Sequence, residues 1–353
     1  MKGNLSNGKL KNSPPFDIKD FTRSELAVIC KEQKAPAFHA GQIFEWIYKK
    51  GVTDFREMSN IPKTLASYLE DKYYFSLLKT LKREKSKDLT EKFLFGLSDG
   101  SAIETVLIPE ERRRTLCVSS QAGCKFACSF CASGADGFIR NLSTSEIVNQ
   151  FLSVNGLLEE KVTNVVFMGV GEPLDNFENV LKAVDILRDE KGINLGKRKV
   201  VVSTCGIVPA IRRLTELHLG IRLSVSLHSA DDGKRLRLMS VNKLYNTASL
   251  IRALKEYVSK EGFPVTFEYV LIKGFNTNPD DARKLSMFVR GVPYKLNLIP
   301  YNANPFFEWQ TPSKREIQEF TGILREKKVF YTLRRRRGDD ISAACGMLRF
   351  RAV

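Results

Sequence analysis

The chain has 353 residues, 43% of them hydrophobic, a balance that suits a folded protein and excludes wholesale disorder. Its 56 Lys and Arg against 40 Asp and Glu leave a formal charge of +16, which points first to a polyanionic partner such as nucleic acid, a merely soluble basic protein being the alternative. No apolar run approaches the roughly 20 residues of a bilayer-spanning helix, and the polar start MKGNLSNGKLKNSPPFD lacks the apolar stretch of a secretory signal, so a cytoplasmic protein with reduced thiols and no membrane partner is expected.

Residues 1–18 read as a flexible tail, broken early by Pro14-Pro15. Residues 19–85 read as a small helical N-terminal domain. ELAVICKEQ and AGQIFEWIYKKG carry apolar residues at three- and four-residue spacing, Gly51 can stop the second helix, and a third is expected in KTLASYLEDKYY after Pro62. The basic segment KTLKREKSKD reads as a connector. Next, EKFLFGL and SAIETVLI flank Asp99-Gly100, a hairpin signal, making residues 86–110 a β-hairpin connector to the larger C-terminal part of the chain.

From residue 111 to 353 the period changes. Short β-branched runs, TLCVSSQ, TNVVFMG, KVVVSTCG, IRLSVSLH, VTFEYVLI and YKLNLIPYN, alternate with amphipathic stretches of helical length. Strand, helix, strand in repetition predicts an α/β core with a parallel sheet and crossover helices, either an open doubly wound sheet or a full or partial barrel.

Cys124, Cys128 and Cys131 form a C-x3-C-x2-C loop just past the first of these strands. Structural zinc normally takes four protein ligands, often as two close pairs of cysteines, and no second pair is present. Three thiolates can instead hold three irons of a four-iron cluster and leave the fourth open to a substrate, whereas an electron-carrying ferredoxin supplies a fourth cysteine. Gly169-Val-Gly171-Glu172-Pro173 ends the second strand, where glycines permit close approach and Glu172 could accept from an amine; a tight strand-to-helix turn accounts for it equally well. It is not a dinucleotide fingerprint, because Leu174 stands where the third glycine belongs. Ser203, Ser226, His228 and Asn302 sit where later apolar strands end, the edge at which α/β active sites assemble. Singly, serine and asparagine are common helix caps and a histidine is more often structural; together, beside the cysteine loop, they favour one pocket. Cys117 in the first strand and Cys345 in GDDISAACG read on their own as buried small hydrophobes, with a glycine-flanked, arginine-neighboured nucleophile as the sharper alternative for Cys345.

The C-x3-C-x2-C loop, the GEP turn and the six-fold βα pattern resemble the radical S-adenosylmethionine superfamily. SSQAGCKFACSFC, MGVGEPLDN, VVVSTCG, SVSLH, KLNLIPYN and RGDDISAACG, in that order, resemble its RlmN-type RNA (adenine-C2) methyltransferases. The resemblance implies a partial (β/α)6 TIM-type barrel behind a helical RNA-binding accessory domain. It implies a 4Fe–4S cluster on Cys124, Cys128 and Cys131, and S-adenosylmethionine, two molecules per turnover, held by Gly171, Glu172, Ser203, Ser226, Leu227, His228 and Asn302. It further implies that Cys345 is methylated first, that a deoxyadenosyl radical takes hydrogen from that methyl, and that the carbon radical adds to adenine C2. Cys117 then matches the partner that resolves the adduct through a transient disulfide with Cys345, and Glu104 the proton acceptor. The partners implied are 23S ribosomal RNA, with transfer RNA as a second substrate, and a flavodoxin or ferredoxin as electron donor to a monomeric enzyme. Cys205 departs from the family, which often has serine there, and the run Arg334 to Arg337 is denser than expected. Two rivals stand beside this reading: a C8-methylating relative that confers antibiotic resistance, which tends to carry alanine where this chain has Pro173, and a zinc-stabilised RNA-binding module without catalysis.

Overall fold

Parallel strands can bury both faces only if helices cross over them, and the alternation of runs from residue 111 onward resolves in that way. The structure, a computed structural model, describes residues 16–349 and the backbone of residues 351–352. The reading of residues 1–15 as a tail falls outside the described residues.

Six strands carry the core: β6 (Arg113–Cys117), β9 (Asn164–Phe167), β10 (Val200–Thr204), β11 (Arg222–Ser226), β12 (Val265–Leu271) and β13 (Tyr294–Pro300), and a short β14 (Thr332–Leu333) extends them. Each pairs in parallel with the next. Helices α4 (Thr144–Gly156), α5 (Phe177–Arg188), α6 (Val208–Leu217), α8 (Thr247–Glu261), α9 (Pro279–Val289) and α10 (Lys314–Glu326) cross between them, with a short α7 (Asp232–Leu238) ahead of α8. Capping boxes start α4 at Ser143 with Glu146 and α10 at Ser313 with Glu316, so local chemistry sets these helix starts.

Alternation along each strand sorts side chains between two environments. On β12, Phe267 packs edge-on against Phe288 of α9 and Tyr269 against Phe320 of α10, while Thr266, Glu268 and Val270 line the interior. Inward residues of all six strands face common cavities, so the sheet curves as a partial barrel rather than lying open and flat.

Antiparallel strands prolong the sheet on the other side: β3 (Lys79–Lys85), β4 (Glu91–Gly96) and β5 (Ser101–Glu110) lead into β6. The two edges of the sheet, β14 and β3, do not pair with each other, so the barrel is not closed. The expected hairpin is β4–β5. The segment read as a basic connector is in part the strand β3. It escaped the pattern because an edge strand with nearly every side chain exposed carries no apolar alternation, and its charges are those that blunt a free edge.

The helical part holds α1 (Arg23–Glu32), α2 (His39–Tyr48) and α3 (Lys63–Lys72). Residues 16–18, assigned to the tail by sequence, are instead anchored: β1 (Phe16–Asp17) pairs with β2 (Tyr73–Tyr74), and Ile18 is fully buried. Lys19 joins this part to the core through a buried ammonium that donates to Asn149 Oδ1 of α4 at 2.6 Å and to the Ser76 carbonyl. Burial lowers its pKa to about 8.

A two-stranded hairpin, β7 (Gln121–Gly123) with β8 (Phe138–Asn141), frames the cysteine loop. Gly123 has φ of +77°, and a Cβ there would stand 2.0 Å from the Gly137 carbonyl oxygen. Gly123→Ala is therefore expected to cost more than about 2 kcal/mol, read as a lowered urea unfolding midpoint, because both the left-handed backbone and the strand contact must give.

Candidate active site

The three clustered cysteines line one cavity at the C-terminal ends of the barrel strands, with about 1030 Å³ of empty volume including its open mouth. Their loop is pinned on several sides. Cys124 N–H donates to the Gly137 carbonyl at 3.0 Å, Ser129 N–H to the Leu238 carbonyl at 2.9 Å, and Trp309 Nε1 to the Ser129 carbonyl at 2.7 Å. Lys125 pairs with Asp175.

Burial pushes the Cys124 thiol up to about 12, the Cys128 thiol well above its ordinary value and the Cys131 thiol up as well. Thiols held this way ionise only against compensating positive charge, so the donor set is one that metal binding would deprotonate. Three thiolates from one loop suit three irons of a four-iron cluster better than structural zinc, which takes four protein ligands.

Across from the loop stand the strand-end residues. Gly171, Glu172, Ser203, Ser226, His228 and Asn302 all line the same cavity. Glu172 is held by backbone donors: its Oε2 accepts from Cys205 N–H at 2.6 Å and its Oε1 from Leu174 N–H at 3.0 Å, and burial raises its pKa. The glycine at 171 answers mainly to Gln121, because a Cβ at its φ of +102° would sit 2.5 Å from Gln121 Cβ. His228 Nδ1 accepts from Val270 N–H at 3.0 Å, which leaves Nε2 as the donor of a neutral ring, and burial beside Arg235 lowers its pKa to about 3. Leu227 differs from its neighbours: it does not line the cavity, its side chain is fully buried in the core, and its carbonyl accepts from Arg235 Nε at 3.2 Å.

Cys345 is carried by the segment after Gly338, which lies against the cysteine loop. Ala132 N–H donates to the Gly346 carbonyl at 2.8 Å, Ser133 Oγ to the Leu348 carbonyl at 2.9 Å, and Asn302 Nδ2 to the Cys345 carbonyl at 3.2 Å. The thiol is accessible, but to the interior: Cys345 lines the first cavity and a second, larger one of about 2280 Å³. Cys117, at the end of β6, lines only the second, where burial and the neighbouring Cys345 push its thiol up to about 12. Arg334 lines both cavities and counters the raised pKa of each thiol. Among the described residues it is the one Lys or Arg side chain lining the first cavity.

The second cavity is basic. Arg113, Arg222, Lys295 and Arg334 to Arg337 line it against two carboxylates, Glu110 and Glu268, so the dense arginine run faces an interior where a polyanion could enter. Glu104 lines neither cavity. It is buried on β5, 3.3 Å from Lys92 Nζ, and its Oε2 accepts from the Arg349 N–H at 2.8 Å, which ties it to the Cys345 segment.

Three contributors escaped sequence reasoning. Glu268 interrupts the apolar run VTFEYVLI, a break in pattern that could have marked it. Arg235 is fully buried and donates to the carbonyls of Cys205 at 2.6 Å, Ser226 at 3.3 Å and Leu227 at 3.2 Å, bracing two strand ends from beneath. Gln121 accepts from Glu172 N–H at 2.8 Å and donates to Asp175 Oδ2 at 2.8 Å, locking the GEP turn to β7. Neither Arg235 nor Gln121 sits in a pattern that sets it apart.

Known proteins resemble the chain over most of its length. The family model for the radical SAM superfamily matches residues 118–285, and that for the ribosomal RNA large subunit methyltransferase N-terminal domain matches residues 16–74. A dual-specificity RNA methyltransferase RlmN of a Nitratiruptor species is 42% identical over 94% of this chain and 97% of its own. A probable dual-specificity RNA methyltransferase RlmN of Clostridium botulinum is 44% identical over 94% of this chain and 96% of its own. The crystal structure of a radical SAM methyltransferase from Sphaerobacter thermophilus superposes with a TM-score of 0.87 at 40% identity, covering 95% of this chain and 99% of that one.

The state of His228 has a measurable consequence. The unfolded chain takes a proton on this ring near its ordinary pKa of 6.5, while the folded chain refuses it until about pH 3, so stability is lost as pH falls through that window. By pH 4.5 this one group should cost roughly 2.5 kcal/mol relative to pH 7. Urea midpoints compared at the two pH values should fall less in His228→Asn than in the parent chain.

Proposed function

Because the chain belongs to the RlmN family of dual-specificity RNA methyltransferases, we propose that it methylates adenine in RNA at C2 by way of a methyl group carried on its own Cys345. One observation carries this reading: Cys345 opens both to the cysteine-lined cavity and to the basic cavity that holds Cys117. A residue so placed can be loaded on one side and discharged on the other.

Cys124, Cys128 and Cys131 would hold a 4Fe–4S cluster, and the strand-end residues S-adenosylmethionine, two molecules per turnover, which together would supply a methyl group and then the radical chemistry that abstracts hydrogen. Everything else is done by the chain. Glu172 offers carboxylate lone pairs to an ammonium, His228 a neutral N–H donor, and Ser203 and Ser226 hydroxyls. Adenine C2 is electron-poor and resists an electrophilic methyl, but a carbon radical on the Cys345 methyl can add there. The base is then bound to protein through sulfur. For release, the adduct would first give up its unpaired electron, which a bound cluster could take back, and its C2 hydrogen as a proton, restoring the aromatic ring. The Cys117 thiolate then forms a sulfur–sulfur bond to Cys345 while the sulfur–carbon bond breaks, and the electron pair leaves with the methyl carbon, which takes a proton. Arg334 beside both thiols favours the thiolate each step requires. Glu104 is the exception to the pattern. Its contacts with Lys92 and the Arg349 amide favour a part in clamping the Cys345 segment over the proton-accepting part that the resemblance assigns.

The basic second cavity is proposed as the path of the RNA, and the helical part that ends with α3 at Lys72 as the part that grips it outside the core. The target base must leave its stack to reach Cys345. The substrates proposed are 23S ribosomal RNA and transfer RNA, with a flavodoxin or ferredoxin as electron donor in a reducing cytoplasm. Among the described residues no helix is long and apolar enough to cross a membrane.

Mass spectrometry of digested RNA from a deletion strain should show 2-methyladenosine lost; loss of the 8-methyl isomer instead would overturn the assignment to C2. Cys117→Ala should accumulate RNA covalently joined to Cys345, seen as a band that RNase shifts, and free Cys345 with no adduct would remove the two-thiol scheme. Anaerobic reconstitution with iron and sulfide should give a brown protein, whereas a colourless one retaining zinc would favour the binding module.

A further inference from the structure

Glu268 lies in the middle of β12, 5% exposed, and lines both cavities. Its Oε1 accepts from Ser224 Oγ at 3.0 Å, Asn297 Nδ2 at 2.9 Å and Arg334 Nη2 at 3.2 Å. Its Oε2 is buried and accepts from nothing among the described residues. Three donors on one oxygen fix the plane of the carboxylate, so the other cannot swing out to water. A buried acceptor left this way is costly, and such a group persists where a ligand supplies the missing donor.

The second orphaned acceptor in the same lining, Asn302 Oδ1, sits beyond the end of β13 at the rim, among the residues read as holding S-adenosylmethionine. Glu268 stands deeper, braced by mid-strand residues, and near enough to Cys345 for its charge to act on that thiol. A purine attacked at C2 by a carbon on Cys345 carries its 6-substituent just across N1 on the same edge, and a base that turns this edge toward β12 brings the substituent to Glu268 Oε2, which lines the same cavities as Cys345. In adenine that position carries an amino group with N–H donors. In guanine and hypoxanthine it carries a carbonyl oxygen, which would face Oε2 acceptor to acceptor.

We propose that Glu268 is a specificity-determining residue, whose Oε2 accepts a hydrogen bond from the 6-amino group of the target adenine and excludes 6-oxo purines. The inference rests on the adenine-methylating reading above. Its chemistry is that of a buried polar group that discriminates because the wrong base leaves it unpaired.

The test uses reconstituted holoenzyme and short RNAs identical except at the target, which is adenine, unsubstituted purine or hypoxanthine, and reads the ratio of kcat/KM values within each enzyme. The parent enzyme should prefer adenine over unsubstituted purine by at least about 10-fold, with hypoxanthine lower still. Glu268→Gln presents an amide that can turn its NH2 toward the base, and its adenine-to-purine ratio should collapse to within about threefold. Equal rates on adenine and purine in the parent enzyme would overturn the proposal without any variant. A variant slowed equally on both RNAs, ratio intact, would show that Glu268 serves only Arg334 or the cofactor and would overturn it too. A parent enzyme that methylates none of the three would instead sink the reading on which the proposal rests.

Discussion

The backbone hydrogen bond from Ala132 to the Gly346 carbonyl, 2.8 Å long, joins the loop of three clustered cysteines to the segment that carries Cys345. Without that seam the two halves of the chemistry would stand on unrelated parts of the chain. Ser133 to the Leu348 carbonyl at 2.9 Å reinforces it, and Asn302 fastens the Cys345 carbonyl to the end of the sixth strand at 3.2 Å. Arg349 adds a bidentate pair with Asp136, donating from Nη2 to Oδ1 at 2.6 Å and from Nε to Oδ2 at 3.0 Å. The barrel supplies the rim and the seam decides what faces it.

Electrostatics derive from that placement. The thiols around the first cavity are pushed up by burial, and His228 is held neutral, so the walls contribute little ionised charge of their own. Arg334 and the carboxyl groups of Glu172 and Glu268 are the exceptions, and Arg334 and Glu268, paired at 3.2 Å, stand where the two cavities meet. The second cavity reverses the balance, with arginines from β6, β11 and the segment after β14 facing its interior. A low-charge chamber for making a reactive carbon therefore adjoins a basic one suited to a phosphate backbone.

Much of this was legible in the chain. Cys124, Cys128 and Cys131 announce themselves by spacing, and the six strands by β-branched runs whose ends carry Ser203, Ser226 and Asn302. Sequence could not reveal what depends on side chains meeting across the barrel. Glu268 and Arg235 are single polar residues whose meaning lies in burial and in partners from other strands. β3 was missed because an exposed edge strand has no core-facing pattern, and residues 16–18 because a two-residue pairing with Tyr73–Tyr74 leaves no periodic trace. Leu227 was grouped with its neighbours although strand alternation turns it into the core. The pairing of Cys345 with both cavities is the largest feature beyond sequence, since its segment has almost no regular structure.

The central claim is that Cys345 is the carrier of the transferred carbon. It is tested most directly by digesting anaerobically reconstituted enzyme after exposure to S-adenosylmethionine and reductant, before RNA is added, and weighing the peptide that contains Cys345. The account predicts that this peptide is heavier by one methyl group. An unmodified Cys345, or a methyl found on Cys205 instead, would contradict it.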